Sequence, residues 1–145
     1  MKKFQFRLES ALRVRQVQLK AEQGELSRLL AEEQRLQNSL HSIGNERREA
    51  IAYIQTTDSV TNTDLRALSG FLLGADNRVA GIRDAIQKNK ARIQQQRQRV
   101  LAADRKLRLL VKLREKKHGE WVRETDRQLE ASAQESWLAG QYSGG

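Results

Sequence analysis

The 145-residue chain contains no cysteine and no proline, and only 5% of its residues are aromatic. Without cysteine, disulfides, thiolate metal sites and a cysteine nucleophile are all excluded. Without proline, only glycine interrupts a helix, so very long helices are expected. Because 38% of the residues are hydrophobic and 31% are charged, the composition argues against a compact globular core.

Long apolar runs are also missing. No run approaches the roughly 18 residues that cross a bilayer. The N-terminal sequence, MKKFQFR, reaches charged residues at once and lacks the apolar core of a signal peptide. We therefore expect a cytoplasmic protein without a transmembrane segment of its own.

Two heptad patterns are present. In each, apolar residues recur alternately every three and four residues, which is typical of a coiled coil and narrower than the apolar stripe of a globular helix. The first seam comprises Leu8, Leu12, Arg15, Leu19, Glu22, Leu26, Leu29, Glu33, Leu36, Leu40, Ile43, Arg47, Ala50 and Ile54. The second comprises Leu65, Leu68, Leu72, Ala75, Val79, Ile82, Ile86, Asn89, Ile93, Gln96, Val100, Ala103, Leu107 and Leu110.

A short polar segment, TTDSVTNTD, separates the two seams. Its residue types favour a turn and a helix N-cap, with Thr61, Asn62 or Thr63 as the capping residue and Asp64 at the positive end of the helix dipole. We predict an all-α fold of two long helices that form an antiparallel coiled-coil hairpin with helix two overhanging. The predicted single domain consists of helix one at about 6–55, a turn at about 56–64, helix two at about 65–138 and a flexible tail at 139–145.

The unequal lengths leave the last 20 or so residues of helix two without an intramolecular partner at a rise of about 1.5 Å per residue. This overhang is expected to carry Trp121 and Trp137. Two interpretations are open: a frayed terminus with two stray aromatic residues, or an anchor surface that a partner protein buries.

Positive charge is concentrated on distal helix two. Between Lys88 and Arg127 there are 14 Lys and Arg residues against 5 Asp and Glu residues, which accounts for the whole net charge of +9. The stretch is either a solvated coiled-coil face or a surface for an acidic partner, such as the lumen of a protein ring. Specific nucleic-acid binding is disfavoured, because zinc-ligand, helix-turn-helix and basic-aromatic patterns are all missing from the sequence.

Three glycines, Gly70, Gly74 and Gly81, lie early in helix two, where each one destabilises the helix relative to alanine. Either they allow a close backbone approach near the turn, or they soften the helix so that Phe71 and Leu73 present an apolar patch to a partner.

Catalytic patterns are missing from the sequence. The two histidines, His41 and His118, lack the neighbouring carboxylates of a metal site or a charge relay, and we expect both to be solvated. No phosphate-cradling glycine loop occurs, and a long helical pair lacks the concave pocket that chemistry requires. We predict a non-enzymatic protein with no cofactor and no metal that works by binding other proteins.

Two motifs lie near the ends of the chain. The N-terminal one is Phe4-x-Phe6-Arg7-Leu8-Glu9-x-x-Leu12-x-x-Arg15, and the distal one is Lys112-Leu113-Arg114-Glu115-Lys116-Lys117 followed by Trp121, Glu124, Arg127 and Glu130. Together they resemble the motifs of the FliJ family of flagellar type III export proteins. The chain departs from the family where an acidic Asp-Glu pair is common, since it has Ala131-Ser132-Ala133-Gln134-Glu135 there.

The resemblance implies a stalk-like protein at the inner membrane of the flagellar base that inserts its paired termini into the hexameric export ATPase, contacts the cytoplasmic domain of the export gate and helps to cycle export chaperones. By position, it implies ATPase binding by Phe4, Phe6, Arg7, Arg13, Lys112, Arg114, Lys116, Lys117, Trp121 and Arg123. By position, it implies export-gate binding by Leu40, Ile43, Phe71 and Ala75.

Two alternatives share parts of this description. One is the corresponding stalk protein of a virulence type III secretion system, with the same fold and mechanism. The other is a structural basic coiled coil that self-associates or coats nucleic acid or another acidic surface, which a steep loss of binding with added salt would reveal.

Overall fold

The computed structural model describes residues 2–143, and this part of the chain contains two α-helices and no strand. Helix α1 is Glu9–Thr56, and helix α2 is Asn62–Ser143. The two helices run antiparallel and pack against each other, as shown by the buried side chains along both. The predicted all-α helical hairpin is therefore confirmed.

The helix bounds differ from the expected ones by a few residues. Helix α1 begins at Glu9, whose amide donates a hydrogen bond to the carbonyl of Phe6 at 3.1 Å, so the residues before it form a non-helical arm. Helix α2 continues to Ser143, because the segment after Leu138 contains no proline to end it. The first five residues of the expected tail, 139–143, are thus helical, and 144–145 lie outside the described residues.

Thr61, which was one of the three predicted capping residues, caps helix α2. Its hydroxyl accepts a hydrogen bond from the backbone amide of Asp64 at 3.2 Å, and the Asp64 carboxylate accepts one from the amide of Thr61 at 3.1 Å. This reciprocal capping box satisfies two amides that the helix leaves unpaired and puts a negative charge at the positive end of its dipole. Residues 57–61 therefore suffice as the turn.

The structure divides into two compact units, and the first to be described is Ala21–Val100, which contains the turn. Its core is a single seam between the two helices. The buried apolar residues of this seam are Leu29, Leu36, Ile43, Ala75, Ile86 and Ile93. Two ion pairs also join the helices: Arg47 donates a hydrogen bond to Asp76 at 2.5 Å and Arg78 donates one to Glu46 at 3.2 Å. Both pairs are largely solvent-exposed and contribute little to stability.

The other unit consists of the described parts of Met1–Lys20 and Leu101–Gly145. Here Leu12 is buried, and Leu19, Ala103, Leu107 and Leu110 are half-buried at their predicted seam positions. Residues 126–142 of α2 are all exposed. This stretch of α2 therefore lacks a helical partner within its own unit, as the overhang prediction requires.

The glycines of α2 do not permit a close backbone approach. A Cβ atom added at Gly70, Gly74 or Gly81 would meet no heavy atom within 4 Å beyond the local helix. The interpretation that these glycines allow a close backbone approach is therefore wrong, because no other part of the chain lies close enough to require glycine there. The other interpretation remains a prediction, and Phe71 and Leu73 are indeed 37% and 64% exposed.

Truncation of a buried seam residue should destabilise the protein much more than truncation of an exposed leucine. Leu36 is 5% exposed, whereas Leu73 is 64% exposed. We expect Leu36→Ala to lower the free energy of unfolding by about 2 to 5 kcal/mol, because it removes buried methyl groups and leaves a cavity. Leu73→Ala should change it by no more than about 0.5 kcal/mol. Urea unfolding followed by circular dichroism measures both, and equal effects would contradict the assigned seam.

Replacement of the helical glycine at position 74 should stabilise the fold. We expect Gly74→Ala to raise the free energy of unfolding by about 0.5 to 1 kcal/mol, because alanine restricts the unfolded chain and its methyl group meets open space. Gly24→Ala in helix α1, which also meets nothing within 4 Å, is the matched control and should give a similar gain. A loss of stability at Gly74 alone would show that this glycine has a packing role.

Candidate functional site

The N-terminal arm, residues 2–8, lies against the distal part of helix α2. Its Phe4 ring meets the His118 ring edge to face, with the ring centroids 4.9 Å apart and the ring planes at 83°. The Phe4 ring is also 6.0 Å from the Trp121 ring, and His118 and Trp121 are 5.9 Å apart. The three rings form one cluster, with edge-to-face and tilted geometries that aromatic pairs favour.

Arg114 completes this cluster on its charged side. The guanidinium carbon lies 5.6 Å from the centroid of the Phe4 ring, which is within the range of a cation–π contact. The same guanidinium donates a hydrogen bond to the Glu9 carboxylate at 3.0 Å. Because Glu9 is the first residue of α1, this ion pair joins the start of α1 to α2 just beside the arm. We call Phe4, Arg114, His118 and Trp121 the aromatic clasp.

The position of Trp121 differs from the expected one. The sequence placed it on the overhang without an intramolecular partner, whereas the structure packs it against Phe4 and leaves it half-buried. That expectation was wrong because the arm extends beyond the start of α1 and packs against a part of α2 that α1 itself does not cover. Trp137, by contrast, is 62% exposed, as the overhang prediction requires.

His118 is exposed, as expected, but the sequence analysis did not predict its ring contacts with Phe4 and Trp121. A signal was present: Arg114, His118 and Trp121 are spaced by four and three residues, which places all three on one face of a helix. Phe6 belongs to the same surface, where it lines a groove together with Gln5, Arg7, Leu8, Leu113 and Lys117.

The remaining predicted ATPase-binding residues are exposed cations of the same unit. Arg114 and Lys117 are neutralised by Glu9 and Glu120. Within residues 2–143, the other five form no ion pair: Arg7, Arg13, Lys112, Lys116 and Arg123. The structure thus combines a partly exposed aromatic cluster with cations that are available to an acidic partner.

The predicted export-gate residues do not form one exposed surface. Ile43 and Ala75 are 5% and 0% exposed, so both belong to the seam. Leu40 is half-buried, and only Phe71 of this set is accessible to a partner. The four residues were grouped because they lie near the turn, but they occupy different faces of their helices, and their side chains therefore point in different directions.

An apolar groove near the turn was missed by the sequence analysis. It is lined by Ala50, Tyr53, Ile54, Asp64, Ala67, Leu68 and Phe71. Tyr53 is 68% exposed and lies beside Ile54 but off the heptad seam, which is the signal that would have identified it. We call this feature the Tyr53–Phe71 groove.

The described residues contain no group of three or more His, Asp and Glu side chains placed to hold a metal ion. Over residues 2–143, neither helix has a stretch that is long and apolar enough to cross a membrane.

The fold and this surface define a class of protein: an antiparallel coiled coil with an aromatic and cationic surface where its N-terminal arm meets the distal part of α2. The family described as "Flagellar FliJ protein" matches residues 4–131 of the 145-residue chain. The chain belongs to the FliJ family, and is thus a coiled-coil protein associated with flagellar type III export. Comparisons with curated proteins and with solved structures found no match.

Loss of the Phe4 ring should release the arm and expose Trp121. In a Trp137→Phe background, where Trp121 is the sole tryptophan, we expect Phe4→Ala to shift the fluorescence emission to longer wavelength. The free energy of unfolding should fall by about 1 kcal/mol, because an aromatic pair and a cation–π contact are lost. Lys3→Ala in the same background is the control, since Lys3 is exposed and neighbours Phe4. Unchanged emission in the Phe4 variant would contradict the clasp.

Proposed function

We propose that this protein is a non-enzymatic, stalk-like component of the flagellar export apparatus. Its terminal unit binds the hexameric export ATPase, and its turn region binds the cytoplasmic domain of the export gate. The membership of the FliJ family supports this role. The observation that carries the ATPase contact is the set of unpaired cations around the aromatic clasp.

The terminal unit has the two properties that a protein-binding surface needs. Trp121 and Phe4 are half-buried, so each retains apolar surface that a partner can cover, and aromatic residues are frequent at the energetic centres of interfaces. Arg7, Lys112 and Lys116 stand exposed on the same unit. Such cations accelerate binding to an acidic surface by attracting it before contact. We therefore expect an acidic lumen in the ATPase ring.

The turn region offers an apolar surface of a different kind. The Tyr53–Phe71 groove is lined mainly by carbon atoms of both helices, with Asp64 as its one charged lining residue. Because Ile43 and Ala75 are buried in the seam, they are not available for contact with a partner. Phe71 alone is carried over from the predicted gate-binding set, and Tyr53 joins it as the exposed aromatic anchor.

The mechanism is coupling between partners, with no bond made or broken by this chain. ATPase binding at one surface and gate binding at the other place the protein peripherally at the inner membrane, through the apparatus and without a membrane span of its own. In this position it supports the export of substrates and the cycling of their chaperones during flagellum assembly.

A crossed binding experiment tests the two surfaces against each other. The variant Lys112→Glu with Lys116→Glu changes the terminal unit, and the variant Tyr53→Ala with Phe71→Ala changes the groove. Each is measured by calorimetry against the purified export ATPase and the purified gate domain. We expect the charge reversal to weaken ATPase binding by about tenfold or more at low salt and the alanine variant to weaken gate binding by a similar factor.

Each variant is also the control for the other, because each should bind its unaffected partner normally. The ATPase contact should weaken further as salt is added, since its exposed charges are screened. If both variants bind both partners as the unchanged protein does, the two surfaces are assigned wrongly. If the unchanged protein binds neither partner and elutes as a self-associated species, a structural coiled coil is the better account.

A further inference from the structure

The seam of the turn-containing unit is interrupted by two buried amides of helix α2. Asn89 is 3% exposed and Gln96 is 4% exposed, although both occupy positions that a coiled coil normally fills with apolar residues. Burial of an amide is unfavourable unless its polar atoms find hydrogen-bond partners. Both amides do find them, and in both cases the partners lie on α1.

The two amides make the same kind of contact. Asn89 Nδ2 donates to the backbone carbonyl of Leu29 at 3.0 Å and to the Glu33 carboxylate at 3.4 Å. Gln96 Nε2 donates to the backbone carbonyl of Glu22 at 3.0 Å and also to the Glu22 carboxylate. Each amide therefore reaches one carbonyl and one carboxylate across the seam.

The spacing of these contacts defines one register. Gln96 lies one heptad after Asn89 on α2, and Glu22 lies one heptad before Leu29 on α1. Two antiparallel helices paired in a single register show this relation, because a residue seven positions later on one helix lies opposite a residue seven positions earlier on the other. Glu33 is further held on its other side, where its second carboxylate oxygen accepts a hydrogen bond from Gln37 at 3.2 Å.

A slip by one heptad would keep apolar residues in the seam but, in either direction, would leave one of the two amides without a carboxylate partner. In one direction, Asn89 would face Leu36 and Leu40, where no side chain accepts its hydrogen bond. In the other direction, Gln96 would face Arg15, which is a donor only. In each direction the second amide moves to the site that the first has left, so one buried amide and one half-buried glutamate, Glu22 or Glu33, lose their partners.

From these contacts we infer that Asn89 and Gln96 are register-determining residues, which select one antiparallel register of α1 with α2 over slipped registers, within one chain or between two. The short turn restrains slippage only within one chain. It does not oppose pairing of α1 with α2 of a second chain in another register, so the amides carry the selection there. This inference is independent of the proposed export function.

Because the chain lacks cysteine, engineered disulfides report the register directly. The native reporter is Leu40→Cys with Val79→Cys, two half-buried seam residues at the same level of the pair. The slip reporter is Leu40→Cys with Ile86→Cys, which is displaced by about 10 Å along the helix at a rise of about 1.5 Å per residue and cannot form a disulfide in the native register. Each reporter is placed in the unchanged seam, in the variant Asn89→Leu with Gln96→Leu, and in a control, Gln87→Leu with Gln98→Leu.

The control likewise replaces two amide side chains of the same helix with leucine, but at exposed positions. In the unchanged seam and in the control, we expect the native reporter to cross-link within one chain and the slip reporter to remain reduced. In the seam variant, the slip reporter should cross-link within or between chains, with its cross-linked fraction raised relative to the control by about tenfold, as expected when an unpaired buried amide no longer opposes the slip.

Light scattering of the reduced proteins accompanies the cross-linking and detects intermolecular pairing, and circular dichroism verifies that each variant is helical. A seam variant that stays monomeric and cross-links only through the native reporter would overturn the inference, because the apolar seam and the turn would then suffice. Cross-linking of the slip reporter in the unchanged seam would overturn it as well.

Discussion

The structure depends on one constraint: each helix carries an apolar stripe that it cannot bury alone. Repetition every three and four residues keeps this stripe on one side of a helix over many turns, and only a second helix with the same repeat covers it. The turn at 57–61 supplies that partner from the same chain. Helical pairing buries the seam residues only, so aliphatic side chains such as Val17, Leu73 and Leu109 stay exposed outside it, together with several aromatic residues.

The partly exposed aromatic residues distinguish the two candidate surfaces. Phe4 and Trp121 lie outside the strict pairing of helix with helix, where the non-helical arm meets α2. Tyr53 and Phe71 lie beside the seam near the turn. In both places an aromatic ring is partly covered by its own chain and keeps apolar area for a partner. The first surface is surrounded by cations and the second is not, so the two suit partners of different chemistry.

Most of the fold was predictable because a heptad repeat is a local and redundant signal. Of the predicted seam positions from Leu8 to Leu110, all are buried or half-buried except Leu8 and Leu65, the first residue of each series. Leu8 precedes α1 and Leu65 lies in the first turn of α2, where the other helix no longer covers them. The site was less predictable. Leu40, Ile43, Phe71 and Ala75 were grouped by closeness to the turn, but exposure depends on the helix face, and two of the four are in the core.

The sequence by itself determined the helical class, the two seams, the capped turn and the excess of positive charge on distal α2, since each of these follows from composition or from spacing along the chain. Only the tertiary structure decided that the arm folds onto His118 and Trp121, that no neighbour approaches Gly70 or Gly74, and that Asn89 finds its acceptors on α1. These are contacts between residues distant in sequence. Their formation depends on the register in which two similar repeats meet, and a repeat is by nature compatible with several registers.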